Sequence, residues 1–192
     1  MNKIILASAS PRRQELLRQI GLNFEVMISS VDETIVLGAP PYEAVSELAY
    51  RKAMGIARLH NECIVIGADT VVVHQDTVLG KPTDISDALR TLKNLNGSEH
   101  QVITGFCVIE ADTGKVVKAS ETTRVFFRHL SDREIVAYVN SGEPMDKAGS
   151  YGIQGLGALL VSRIEGCYFN VVGLPLTRLS QVLKEFGIDV LA

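Results

Sequence analysis

Apolar positions along this chain recur with two different periods, and the places where the period changes mark its elements. Lys3–Ala7 is a short apolar run suited to a buried strand. Pro11–Ile20 has a helical pattern that Gly21 closes. The stretch "NFEVMISSVDETIV" reads as a strand ending in an acidic loop. "PYEAVSELAYRKAMGIARLH" puts Ala44, Leu48, Ala49, Ala53 and Ile56 on one helical face. "CIVIGADTVVV" is almost continuously apolar, the pattern of a strand covered on both faces, and "HQDT" turns it into a hairpin with "VLGKP".

The second half continues in the same way. Leu89, Leu92 and Leu95 define a helix that Gly97 ends. "QVITGFCVIEADTGKVVKASETTRVFF" holds two long strands joined at "ADTG". Ser131 and Glu134 have the spacing of a capping box ahead of "IVAYV", with the helix ending near Gly142. A glycine-rich loop, "GEPMDKAGSYGIQGLG", precedes a strand in "ALLVSRIEG" and a last helix from Pro175 to Phe186. Strands and helices mix without strict alternation, so the expected fold is α/β, a mixed sheet with flanking helices. There is no internal repeat and no Pro/Gly-rich linker, and residues 1–192 read as a single domain.

Composition narrows the partners. Apolar residues make up 46% and charged ones 21%, as in ordinary globular proteins, and the net charge of −3 argues against a general nucleic-acid binder. The three cysteines (63, 107 and 167) are odd in number and contain no CxxC pair, which suits reduced core thiols. No run reaches the ~18 apolar residues of a membrane span, and Ile4–Ala7 is too short for a secretory signal. The expectation is a cytoplasmic protein with no membrane partner.

The familiar catalytic motifs are missing. There is no P-loop, GxGxxG, HExxH or GxSxG, and the four histidines lack ligand spacing. Chemistry must rest on carboxylates, cations and hydroxyls. Ser10 is placed as an N-cap and Pro11 as the first helical residue, so Arg12 and Arg13 sit in the turn where the helix dipole disfavours cations. Two readings are open. The arginines reach into water, or the unpaired N–H groups of the turn, with Ser8 and Ser10, hold a phosphate chain that offsets the repulsion. On the second reading, Arg13 is a phosphate ligand that the empty fold does not need.

Asp69 interrupts an apolar strand, which is costly unless the carboxylate is paired, binds metal or lies at a strand end or bulge near Gly67. Asp32-Glu33 follows another predicted strand. Two such acidic sites beside bound phosphate suit Mg²⁺ or Mn²⁺. Lys52 reads by default as a surface lysine of its helix. Lys81, between Gly80 and Pro82, and Lys147, beside Asp146, are weak signals alone.

Taken together, "SASPRR" at residues 8–13, "VDET", "RKA", "GADTVV", "GKP" and "AGSYGIQGLG" resemble, in order and spacing, the Maf family of nucleoside triphosphate pyrophosphatases over essentially the whole chain. The resemblance implies a twisted mixed sheet with two lobes around a cleft, similar to inosine-triphosphate pyrophosphatases. It implies metal-dependent hydrolysis of a nucleoside triphosphate to monophosphate and pyrophosphate. Asp69 matches the family's proton acceptor. Arg12, Thr70 and Gln154 match positions tied to substrate choice, and Glu33, Lys52 and Lys81 match other active-site positions. "SYGIQG" looks like the branch acting on dTTP, UTP and modified pyrimidine nucleotides; the 7-methyl-GTP branch is the alternative. A cell-division regulator that binds nucleotide without turnover is the rival reading, and family members are often homodimers.

Overall fold

The computed structural model describes residues 3–34 and 38–192. The strands form a seven-stranded mixed sheet. In chain order they are β1 (Lys3–Ala7), β2 (Glu25–Val26), β3 (Cys63–His74), β4 (Thr77–Leu79), β5 (Glu99–Glu110), β6 (Val116–Phe127) and β7 (Val161–Glu165), laid side by side as β2-β1-β3-β5-β6-β7 with β4 on β3. β1 runs parallel to both neighbours, pairing Ile5 with Glu25 and with Val65. β4 and β7 are antiparallel to β3 and β6. The helices are α1 (Pro11–Gln19), α2 (Pro41–Ala57), α3 (Ile85–Leu95), α4 (Asp132–Asn140), α5 (Tyr168–Val172) and α6 (Leu176–Lys184). Among the described residues no helix is long and apolar enough to cross a membrane.

The chain divides into two compact units, with β3, β5 and β6 each passing from one to the other. The first comprises Met1–Asp69, Thr104–Glu121 and Gly173–Ala192. Its core joins Ile5 and Ala7 of β1, Ala49, Ala53 and Ile56 of α2, Cys63 and Val65 of β3, and Cys107 and Ile109 of β5. Two strand glycines set how α2 lies on this sheet. A Cβ on Gly67 would drive into the Ala49 carbonyl oxygen and stand 2.9 Å from the Ala53 nitrogen. One on Gly105 would stand 2.5 Å from the Ser46 nitrogen. Helix backbone therefore rests on strand backbone, which only small residues permit.

The second unit, Thr70–Ile103 and Thr122–Val172, has its own core. Ala88, Leu92 and Leu95 of α3 and Ile135, Tyr138 and Val139 of α4 pack on Val72, Val102, Val125 and Phe127. The β3–β4 turn places Gln75 and Asp76 at positive φ (47° and 61°), the conformation of a tight hairpin turn. Ser131 and Glu134 make the expected capping box. The glycine-rich stretch contains 3₁₀ turns at Glu143–Asp146, Ala148–Ser150 and Gly155–Leu159.

One expectation changes, and one helix had no counterpart in the sequence reading. Of "NFEVMISSVDETIV", only Glu25–Val26 is strand; Ile35 and Val36 at its end lie outside the described residues. Ser29 and Asp32 turn on themselves instead, their side chains accepting from the N–H groups of Val31 and Thr34, which competes with a ladder. The short helix α5 carries too few turns to leave a period in the sequence.

Candidate active site

Four segments of the first unit bring charged groups together. Asp69 lies inside β3, with no break in the strand at Gly67. Lys52 projects from α2, which the glycine contacts hold against β3. Its ammonium donates to Asp69 Oδ1 at 2.8 Å and pairs with Glu33 Oε1 at 3.1 Å. Lys52 is buried, contrary to its default reading as a surface lysine. The cost of burying Asp69 and Lys52 is thus met by pairing. The Glu33 side chain is 63% exposed.

Glu33 is placed through its backbone. Arg51, adjacent to Lys52, donates from Nη1 to the Asp32 carbonyl at 2.7 Å and from Nη2 to the Thr34 carbonyl at 2.8 Å. One guanidinium therefore grips backbone carbonyls before and after Glu33. The sequence held no local sign of this, because the acceptors are carbonyls at distant positions.

The α1 start answers differently from the sequence expectation. Ser10 caps the helix, its hydroxyl accepting from the Arg13 N–H at 3.5 Å. The Arg13 side chain turns inward. Nε donates to the Gly173 carbonyl at 2.8 Å, and Nη1 donates to the Ala68 carbonyl at 2.9 Å and to Ser8 Oγ at 3.1 Å. Burial pulls its pKa below the usual arginine value; Asp69 and Glu33 push it back up, and Arg12 pulls it further down. Arg13 thus ties α1 to the residue before Asp69 and adds positive charge behind both carboxylates. Arg12 is half-buried in the same turn.

Ser8, Ser10, Arg13, Glu33, Lys52 and Asp69 therefore belong to one neighbourhood. Thr70, Lys81 and Gln154 belong to the second unit. Lys81 is exposed and follows Gly80, whose carbonyl accepts from the Gly149 N–H at 3.0 Å. Gln154 is half-buried at the start of a 3₁₀ turn. Cys63 and Cys107 are buried free thiols and Cys167 is a half-buried one; burial pushes Cys107 up to about 12, an unreactive state.

Among the described residues no three His, Cys, Asp or Glu side chains group as a metal site. Two carboxylates meet on Lys52. Such a pair is a partial set of hard oxygen donors, which suits an ion that takes its remaining ligands from water and phosphate.

The family model for Maf-like proteins matches residues 3–186. The chain belongs to the Maf family. Curated Maf relatives match it from end to end. A dTTP/UTP pyrophosphatase of Acetivibrio thermocellus is 52% identical over 198 residues, covering 100% of this chain and 98% of that protein. A dTTP/UTP pyrophosphatase of Desulforamulus reducens is 49% identical over 190 residues, covering 99% and 100%. Among solved structures, a HAM1 protein from Coxiella burnetii aligns with this Maf chain at a TM-score of 0.52 and 14% identity, over 96% of this chain and 100% of that one. That likeness is one of fold, and it agrees with the mixed α/β sheet expected from the sequence.

Proposed function

We propose that this chain hydrolyses dTTP and UTP to the nucleoside monophosphate and pyrophosphate. The observation that carries the reading is the buried Lys52 ammonium joining Asp69 and Glu33 beside the capped start of α1. The names of full-length relatives at about half identity support the substrate class.

Asp69 is the general base. Its Oδ2 accepts a proton as water attacks the α-phosphorus, and the bond from that phosphorus to the pyrophosphate oxygen breaks with its electron pair leaving on pyrophosphate. Lys52 orients Asp69 through its bond to Oδ1 and bridges it to Glu33. Ser8, Ser10 and Arg12 at the α1 start bind phosphate oxygens, and Arg13 supplies fixed positive charge behind them. By motif match, Lys81 adds a phosphate contact, and Thr70 and Gln154 join Arg12 in choosing the base. Glu33 would hold Mg²⁺ or Mn²⁺, and Asp69 would share the ion only while it is not serving as the base. When bound, the ion offsets negative charge on the triphosphate.

The test is a panel of nucleoside triphosphates assayed with Mg²⁺ or Mn²⁺ for released pyrophosphate. The expected result is pyrophosphate from dTTP and UTP ahead of ATP and GTP, abolished by a chelator. Orthophosphate and diphosphate as first products would overturn the reading, as would binding without turnover.

A further inference from the structure

We propose that Glu143 and Tyr138 are positioning residues for pyrimidine selection, holding the backbone on both sides of Gln154 so that its side-chain amide stays out of helix capping. This rests on the reading of Gln154 as a residue that pairs with the base.

The first turn of a helix exposes N–H groups, which a short polar side chain at the N-cap or an acceptor from elsewhere satisfies. Gln154 is the N-cap of the 3₁₀ turn Gly155–Leu159, yet its side chain makes no capping bond. Glu143 does the capping from a distance. Its Oε2 accepts from the Leu156 N–H at 3.0 Å and its Oε1 from the Gly157 N–H at 3.1 Å. Both bonds are charge-assisted, the stronger kind. Tyr138, buried on α4, links this cap to the other side of the loop. Its hydroxyl donates to Glu143 Oε1 at 3.2 Å and accepts from the Gly152 N–H at 3.3 Å. Burial raises the Tyr138 phenol well above its usual value, so it keeps the proton that it donates.

Gly152, Leu156 and Gly157 thus hang from one carboxylate–phenol pair, with Gln154 between them. The glycines make the pair possible. Gly155 sits at φ +63°, and a Cβ there would stand 2.9 Å from Glu143 Oε2. A Cβ on Gly157 would run into the Gly152 carbonyl oxygen and stand 2.9 Å from the Tyr138 hydroxyl. A loop this rich in glycine is costly to order, and an amide reads a donor and an acceptor together only when its plane is fixed. The Glu143–Tyr138 pair supplies that order before any base arrives.

The experiment measures kcat and KM for dTTP, UTP and ATP in Glu143→Gln, Tyr138→Phe, Gln154→Ala and the Glu143→Gln/Gln154→Ala double variant. Amide hydrogen exchange at Leu156 and Gly157 is followed in parallel. Glu143→Gln should lower the dTTP-to-ATP ratio of kcat/KM about tenfold, mainly through KM for dTTP, and speed exchange at both amides. Tyr138→Phe, which removes one hydroxyl, should move both readouts in the same direction by less. Added to Gln154→Ala, Glu143→Gln should not change the ratio further. An equal loss for every triphosphate would make the pair merely structural and overturn the proposal. So would a wild-type ratio in Glu143→Gln while Gln154→Ala destroys it. If Gln154→Ala itself keeps the wild-type ratio, the base-pairing reading falls and takes this proposal with it.

Discussion

Lys52 and Asp69 meet at 2.8 Å with side chains only 10% and 16% exposed, so each ion depends on the other for its place in a poorly hydrated strand layer. Asp69→Asn keeps the shape but removes the charge and the proton-accepting oxygens. Turnover should fall by at least ~10²-fold, the scale of a general base, while the folded far-UV spectrum is retained. Near-normal kcat in the folded variant would remove Asp69 from the chemistry.

Arg13→Ala should destabilise the empty protein. The sequence alone suggested the opposite, because a cation in the first turn of a helix is unfavourable. The side chain is instead bonded to two backbone carbonyls and Ser8, and truncation leaves those acceptors buried. A loss of about 3 kcal/mol is expected, given roughly 1–3 kcal/mol for each unsatisfied buried group. Denaturant titration without nucleotide measures it. An unchanged midpoint would restore the view of Arg13 as a ligand-facing residue only.

Arg51→Lys should impair metal activation more than stability. A guanidinium fork spans the carbonyls of Asp32 and Thr34, whereas an ammonium is a single point. Released from one side, Glu33 should be less well placed, and the Mg²⁺ concentration for half-maximal activity should rise by about fivefold, the equivalent of one hydrogen bond. The same Mg²⁺ dependence as wild type would mean that Glu33 keeps its place without the clamp.

Acid should loosen the second unit. His100 is buried against Phe127 and Tyr151, and burial, reinforced by nearby His74, lowers its pKa from 6.5 to about 3. Between those values the unfolded chain takes up a proton that the folded chain refuses. The His100 contribution is therefore complete above pH 6.5 and is lost as pH falls toward 3. His100→Gln keeps a polar group for the Tyr151 hydroxyl without titrating. Its melting temperature should fall less steeply than that of the wild type over this window. Parallel slopes in the two proteins would exonerate His100.

Local signals in the sequence were dependable where the cause was local. Small residues on one face of α2, the almost continuous apolar run of β3 and the Ser131–Glu134 box all act within a few residues, and each forms as expected. The signature motifs also led to Asp69, Glu33 and Lys52, which meet in the structure. What escaped depends on partners far along the chain. Arg13 turns away from water because carbonyls at 68 and 173 await it. Arg51 and Glu143 act on backbone groups 13 or more residues away, which no spacing rule encodes. The segment after Val26 had the apolar content of a strand, but its serine and aspartate side chains claimed the backbone first.

Gly67 and Gly105 let α2 settle directly onto the strands, and that closeness is what allows a lysine on the helix to touch a carboxylate on the sheet. The length of the ion pair is therefore a property of layer spacing as much as of charge. One added methyl at either glycine would lift the helix and draw the ammonium away, leaving every ionisable residue in the protein unchanged. The reactive centre can be detuned from beneath, by an atom that carries no charge and touches no substrate.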